Sequence, residues 1–320
     1  MFEHHKKEKP VPSLTSTSGG AGGFQNNREF LPPIGSQLFD TPGSYTWTAP
    51  DEAAASGIDI VVIGGGGGCA LYPNDLTGGS GGGGAALAYK NNVSVSAGDQ
   101  LKIEVGAGGR GSWGGPSAIP GPTQPKVYAG NSAENGGYSS VRLPSQPTSA
   151  PNAIVYAQGG YGSPGPNGGN GGSTRVGDGG GNGGSGGSQS GQASYWAYGG
   201  GTGGYSGPGG TGGRWEAGNP PSNYAHGASA ANPGSGGAGG AAGWGRRTGV
   251  NVFGRGPTGG INESGSGGTP TQYGGGGSTS GVGAAGGIQQ GQPGAVRIIW
   301  GPNRQFPDTN TGLDGSPAPS

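Results

Sequence analysis

Cys69 is the one cysteine in the 320-residue sequence. A single thiol excludes an intrachain disulfide and any multi-cysteine metal centre, so stability must come from backbone bonding and packing. Histidine is scarce as well, with His226 the sole one outside the N-terminal pair His4 and His5. Nucleophilic or acid–base chemistry needs a base held beside a nucleophile. Between residues 159 and 293 the carboxylates are only Asp178, Glu216 and Glu263. The expectation is a protein that is not an enzyme, and no EF-hand or nonapeptide calcium repeat suggests a metal.

Charge is also sparse: 16 basic and 16 acidic residues leave no net charge. Arg110, Arg214 and Arg255 sit beside glycines, but phosphate binding rests on clustered cations, so no nucleic-acid partner is expected. No stretch approaches the ~18 apolar residues of a membrane span, so no membrane insertion is expected. The charged start, residues 1–12, is not followed by an apolar run, which argues against a secretory signal.

What abounds is glycine, 86 residues, joined by 27 prolines. Such a content without a period reads as low complexity, but here there is a period. From Gly199 to Arg214, the residues Thr202, Tyr205, Pro208, Thr211 and Arg214 recur every three positions and only Ser206 breaks the register. Asn182, Ser185 and Ser188 repeat it, as do Asn170 with Ser173, and Ser235, Ala238 and Ala241 with Trp244 next in phase. Three residues per turn is the polyproline II repeat, called polyglycine II in glycine chains. Glycine loses the most backbone entropy on ordering, so an ordered glycine module needs a compensating interaction that only glycine permits. Close packing of bare backbones, with lateral hydrogen bonds, supplies it. A straight run of about 15 residues at ~3.1 Å each would reach roughly 45 Å.

The rest of the chain is β-rich. Leu38-Phe39, Tyr45 to Trp47, Ile58 to Ile63, Ala86 to Tyr89 into Val93 to Val95, Leu101 to Val105, Tyr138 to Leu143 and Ala153 to Ala157 are strand candidates separated by turn chemistry. Leu101, Ile103 and Val105 alternate with Lys102 and Glu104, one face for a core and one for water. The apolar Ala295 to Trp300 lies beyond the glycine region, which suggests that both ends of that region meet in one sheet. The resulting expectation is an all-β protein, an antiparallel β-sandwich carrying a polyglycine II excursion, with essentially no α-helix. Its parts are an N-terminal arm (1–36), a sandwich part (37–158), a glycine-rich region (159–293), a closing strand (294–300) and a C-terminal tail (301–320). Sequence leaves the arm either disordered or docked on a neighbouring subunit.

Ile58 to Ala70 invites a dinucleotide-binding reading, because Gly65, Gly67 and Ala70 fit G-x-G-x-x-A after a strand. That motif requires a helix at the glycines. Leu71-Tyr72-Pro73 and then Gly78-Gly79 follow instead, so no cofactor is expected.

Several ordered segments resemble the glycine-rich domain of bacteriophage tail and virion proteins. They are Phe39 to Pro50, Ile58 to Ile63 running into Gly64 to Gly68, Gly81 to Lys90, Val95 to Gly109 and Gly294 to Trp300. The ending Val296 to Pro307 is similar to structural proteins of marine phages, cyanophages among them. The alternation of glycine runs with aromatic interruptions also resembles the distal tail-fibre adhesins of T-even-like phages, whose polyglycine II bundle displays loops to the host surface. This chain departs from those adhesins in its arm and its β-rich first half. The resemblance implies a virion protein of the tail, fibre or an external appendage, anchored to other virion proteins by the arm and attaching to a host-surface glycan or outer-membrane protein. It also implies a homo-oligomer, trimers being common among such appendages. A purely architectural capsid or tail decoration subunit is the alternative.

The bulky interruptions are the candidate contact residues: Tyr195, Trp196 and Tyr198, then Trp215, Tyr224 with His226, and Trp244 with Arg246 and Arg247. Three readings stay open for them: caps that cover the glycine bundle, stacking contacts with a receptor, or subunit contacts.

Overall fold

The computed structural model describes residues 35–72, 78–113, 127–129, 132–148, 150–188, 196–215, 249–250, 252, 273–279, 288 and 290–307. Its strands are β1 (Gly35–Phe39), β2 (Gly43–Thr48), β3 (Ile58–Ile63), β4 (Ala70–Tyr72), β5 (Gly78–Ser80), β6 (Leu87–Val93), β7 (Gln100–Val105) and β8 (Gly111–Trp113). There follow β9 (Val127–Ala129), β10 (Ser139–Arg142), β11 (Val155–Ala157), β12 (Arg175–Val176), β13 (Gly179–Gly181), β14 (Trp196–Ala197), β15 (Arg214–Trp215) and β16 (Ala295–Trp300). Among the described residues, helix is confined to α1 (Asp51–Ser56) and one 3-10 turn, Ala150–Asn152. Asp51 and Glu52 in its first turn suit the positive end of α1, and Gly57, with φ 70°, stops it.

Two sheets form the sandwich, one ordered β1-β16-β3-β6-β13 and the other β12-β11-β10-β7-β2. The strands at the two ends of the glycine-rich region do not share one sheet as expected: β11 lies in the second sheet and β16 in the first, beside β3, pairing Ala295 with Ile63 and Trp300 with Ile58. Between the sheets Ile58, Ile60, Val62, Val296 and Ile298 meet Trp47, Leu101, Ile103, Val105, Val141 and Val155. Each such side chain stabilises by about 1.5–3 kcal/mol when fully buried. The alternation of β7 thus marks a sheet with one wet face. In contrast β3 is buried on both faces. Its outer residues Val61 and Ile63 pack with Leu87, Ala295 and Ile299 under a second layer made by Tyr205, Val250, Val252, Tyr273 and Phe306.

The sandwich does not end where glycine begins. Eight of its strands continue directly as glycine-rich extended runs: β3 into 64–68, β7 into 106–110, β11 into 158–163 and β13 into 182–188. Runs 81–86, 133–138, 168–174 and 291–294 lead into β6, β10, β12 and β16. Three more runs, 198–204, 207–213 and 274–279, complete the bundle among the described residues. Strands and glycine runs therefore alternate along the chain, and the expected division at residue 158 does not hold: β12 and β13 come after it, four glycine runs before it.

The hydrogen bonds have the three-fold repeat of polyglycine II. In run 64–68, Gly64 and Gly67 donate to Ala86 and Gly83, Gly65 and Gly68 to Gly137 and Glu134, and Gly66 to Gln292, over 2.8–3.2 Å. Its carbonyls accept from Gly160, Ser163, Gly109 and Gly277. Run 64–68 is thereby enclosed by six others: 81–86, 133–138, 291–294, 158–163, 106–110 and 274–279. Run 81–86 is enclosed in the same way. It donates to 182–188, 274–279 and 158–163 and accepts from 64–68, 168–174 and 198–204.

This arrangement explains the sequence. A Cβ on Gly65, Gly66, Gly67 or Gly68 would meet a backbone carbonyl oxygen at 1.9–2.1 Å. None of these four has positive φ, so crowding rather than backbone conformation demands glycine. Uninterrupted Gly64 to Gly68 and Gly81 to Gly84 mark the two central runs; Gly-Gly-x marks the rim. In run 182–188, Gly183 and Gly186 face the carbonyls of Gly84 and Gly81, and Gly184 and Gly187 face those of Gly210 and Gly213. Every third residue, Asn182, Ser185 and Ser188, faces outward, with Asn182 and Ser188 exposed.

The run from Gly199 to Arg214 is not one spacer. It folds back at Tyr205-Ser206-Gly207, where the Gly204 amide donates to Gly207 O at 2.8 Å. Two neighbouring rods of seven residues, each about 20 Å long at ~3.1 Å per residue, replace the expected 45 Å rod. Ser206, the residue out of register, is the turn. Thr202 and Tyr205 are buried, whereas Pro208 and Thr211 on the returning run are exposed.

Candidate attachment pole

The bundle gives the protein two ends. At one, here called the base, lie α1, the ends of β6 and β10, the starts of β7 and β11, and Gly35, opposite Trp300. At the other pole the runs terminate in short strands. A four-stranded sheet, β5-β4-β8-β9, connects runs 64–68, 81–86, 106–110 and 133–138, and β14, just before run 198–204, pairs with β15, just after run 207–213.

Hydroxyl and thiol side chains close the pole by bonding the orphaned backbone groups of the rods. Ser80 Oγ contacts Ser163 Oγ and donates to the Gly165 carbonyl, and Ser163 Oγ bonds Asn167 O at 3.0 Å. The Ala197 amide donates to Thr279 Oγ1 at 2.9 Å and that of Gly199 to Ser278 Oγ at 3.0 Å. Cys69, buried, directs its thiol to Ser278 O at 3.1 Å. Gly65, Gly67 and Ala70 of the dinucleotide-like motif are buried in this framework.

Of the candidate contact residues, the structure brings two together. Trp196 and Trp215 stand directly opposite each other in the β14–β15 ladder, with Ala197 opposite Arg214. Tyr198, only 2% exposed, is a correction. Its amide donates to Gly213 O at 3.0 Å and its carbonyl accepts from Gly187, so it packs the bundle and presents nothing to a receptor. Tyr195, Tyr224, His226, Trp244, Arg246 and Arg247 lie outside the described residues.

Two surface features were not anticipated. On the flank where β10 and β11 meet the bundle, Tyr138 and Tyr156 stack with centroids 5.3 Å apart, and Gln158 Nε2 donates to the hydroxyl of Tyr161, which is 40% exposed. Burial pushes the Tyr156 phenol up. Its place between the inward Val155 and Ala157 was the available signal. At the base, a cleft of about 300 Å³ opens between β6 and the β7–β10–β11 edge, lined by Val93, Val95, Leu101, Leu143 and Ile154.

Two buried charged groups, Asp59 and Arg297, lie on the outer face of β3 and β16. Burial raises the Asp59 carboxyl to about 6, against the opposing effects of the Asn92 amide, bonded at 2.7 Å, and the charge of Arg304. Burial, aided by Arg304, lowers Arg297 to about 10. Arg297 donates to Val252 O at 3.1 Å, and Arg304 donates to Gly35 O at 2.6 Å. Among the described residues no three His, Cys, Asp or Glu side chains converge on a metal-sized site, and no helix is long and apolar enough to cross a membrane.

A family model for the glycine-rich domain matches residues 40–301, and the chain belongs to that glycine-rich domain family. No curated protein matches the sequence.

Proposed function

We propose that this member of the glycine-rich domain family is a non-enzymatic structural component of a phage virion, in the tail, a fibre or an external appendage, that attaches to the host surface. The phage assignment rests on the ordered sequence segments between Phe39 and Trp300. The attachment role rests on one architectural observation. The chain enters the domain at Gly35 on the base, while the paired Trp196 and Trp215 stand at the far pole, held off by rigid backbone-bonded rods. A module held at one end whose far pole carries two tryptophans at opposite positions of one backbone ladder suits adhesion, since Trp faces stack on sugar rings and on apolar protein surfaces. The N-terminal arm would join it to other virion proteins.

Adsorption competition tests this reading. Saturating purified protein should block phage adsorption, and Trp196→Ala with Trp215→Ala should remove the block while the melting temperature holds. Unchanged adsorption would favour the architectural alternative, a capsid or tail decoration subunit.

A further inference from the structure

Along the periphery of the bundle the outward positions recur every third residue, and most carry small polar side chains, such as Asn170 and Ser173 on one run and Asn182 and Ser188 on the next. Runs 133–138 and 158–163 depart from that rule. Run 158–163 lies between 133–138 and 168–174, since the Gly136 amide donates to Gly160 O at 2.8 Å and that of Tyr161 to Asn170 O at 2.9 Å. Its outward side chains are Gln158 and Tyr161, and those of 133–138 are Asn135 and Tyr138. A third ring, Tyr156, stands on the outer face of β11, between the core residues Val155 and Ala157. Burial first, and then the phenols of Tyr138 and Tyr161, push that of Tyr156 up, so the three rings lie within one another's field.

Packing accounts for two of these rings and not for the third. Tyr138 and Tyr156, both half-buried, stack at an interplanar angle of 22° and cover the seam between β-sheet and bundle. Tyr161 is 40% exposed, at a rim position where asparagine or serine serves elsewhere. Its hydroxyl is nevertheless fixed. Gln158 Oε1 accepts the amides of Ser173 and Thr174 at 3.1 and 2.9 Å, and its Nε2 donates to the Tyr161 hydroxyl at 2.8 Å. Because that oxygen serves there as acceptor, the phenol hydrogen remains to donate. The exposed Asn135 is anchored alongside, its Oδ1 accepting from the Gly162 amide at 2.9 Å.

Aromatic faces, amides and a hydroxyl held in place, with no ionised member, have a definite chemical complement. An anionic ligand would find no cation among them. A purely apolar ligand would strip water from Asn135, Gln158 and Tyr161 without replacing its hydrogen bonds. A saccharide satisfies both halves, its C–H face lying on a ring and its hydroxyls bonding the amide and phenol groups.

We infer that the flank formed by Tyr138, Tyr156 and Tyr161 is a binding platform for a neutral glycan, with Tyr161 as the stacking face and Gln158 as the residue that positions it. This goes beyond attachment at the pole. The platform lies on the side of the bundle and stands whether or not Trp196 and Trp215 touch a host.

The full-length protein should be applied to an array of neutral hexasaccharides of glucose, mannose, galactose and N-acetylglucosamine, printed beside sialylated and sulfated chains. Binding to at least one neutral glycan is expected, weakened about ten-fold or more by Tyr161→Ala with the melting temperature retained. Trp196→Ala with Trp215→Ala should leave it unchanged, so a failure of the adsorption test at the pole is distinguishable from a failure here. Tyr161→Phe, which keeps the face and the packing, should lose less. Gln158→Ala should lower affinity as Tyr161→Phe does, and the two combined should lose no more than either alone, because both remove one oriented hydroxyl. Binding to no neutral glycan, preference for the anionic chains, or binding untouched by Tyr161→Ala would overturn the platform. Additive losses for Gln158→Ala and Tyr161→Phe would overturn the positioning role.

Discussion

The amide of Gly67 donates to the carbonyl of Gly83 at 2.9 Å, and this bond joins the two runs that are surrounded on every side by other backbones. Neither residue has room for a methyl group: a Cβ on Gly67 would lie 2.0 Å from Tyr161 O, and one on Gly83 1.9 Å from Asn170 O. Backbone, unlike a flexible side chain, cannot yield locally. Gly67→Ala or Gly83→Ala should therefore cost at least about 3 kcal/mol, beyond the usual range for overpacking. Chemical denaturation would show this as loss of the folded baseline or a large fall in midpoint.

Tyr205 provides a test of the fold-back between the two rods. Its ring is 2% exposed and stacks on Phe306 with centroids 5.9 Å apart, so it fastens residues 301–307 over the outer face of β3 and β16. Tyr205→Ala should destabilise by about 3 kcal/mol. Pro208→Ala, three residues on and exposed, should change stability by no more than about 0.5 kcal/mol. Equal effects in thermal melts would contradict the fold-back.

Asp59 should make stability pH-dependent in a defined sense. Its folded pKa of about 6 exceeds the ordinary 3.8, so the favourable contribution of the protonated form is complete below pH 3.8 and is lost as pH rises through 6. Asp59→Asn keeps an acceptor for the Asn92 amide and removes the buried charge. It should raise stability at pH 8 by about 1–2 kcal/mol and change it little at pH 4. A loss of stability at pH 8 would mean that attraction to Arg304 outweighs the cost of burial.

The Arg110–Glu134 pair works in the opposite direction. The Arg110 guanidinium bonds both Glu134 oxygens and holds that carboxyl below its ordinary 4.5. Its contribution is present at neutral pH and lost as pH falls below that value. Because both side chains are substantially exposed, Glu134→Gln should cost under about 1 kcal/mol at pH 7, and less in 1 M salt.

Much of this fold was legible in the sequence because the periods are physical. Alternation in Leu101 to Val105 identified a half-buried strand, and the apolar Ala295 to Trp300 identified β16, though not its place beside β3. The three-residue period identified polyglycine II. What it did not convey was connectivity. A glycine run bonds laterally to segments far away in sequence, as Gly66 does to Gln292, and lateral bonding leaves no signature in spacing. The interruption at Ser206 and the uninterrupted Gly64 to Gly68 carried that information, one as a turn and the other as a centre. The candidate contacts were less legible. Tyr198 lies in an aromatic cluster two residues from Trp196, and bulk alone does not show that its ring is buried in the bundle.

A period-three alanine scan of run 182–188 measures the central claim most directly, namely that glycine is required here by neighbouring backbones on defined faces. Gly183→Ala, Gly184→Ala, Gly186→Ala and Gly187→Ala each direct a methyl group at a carbonyl 1.9–2.2 Å away, and each should lower the melting temperature sharply. Asn182→Ala and Ser185→Ala, on the outward face, should change stability by no more than about 0.5 kcal/mol. Uniform tolerance across all six positions, or losses without the three-residue rhythm, would contradict the bundle.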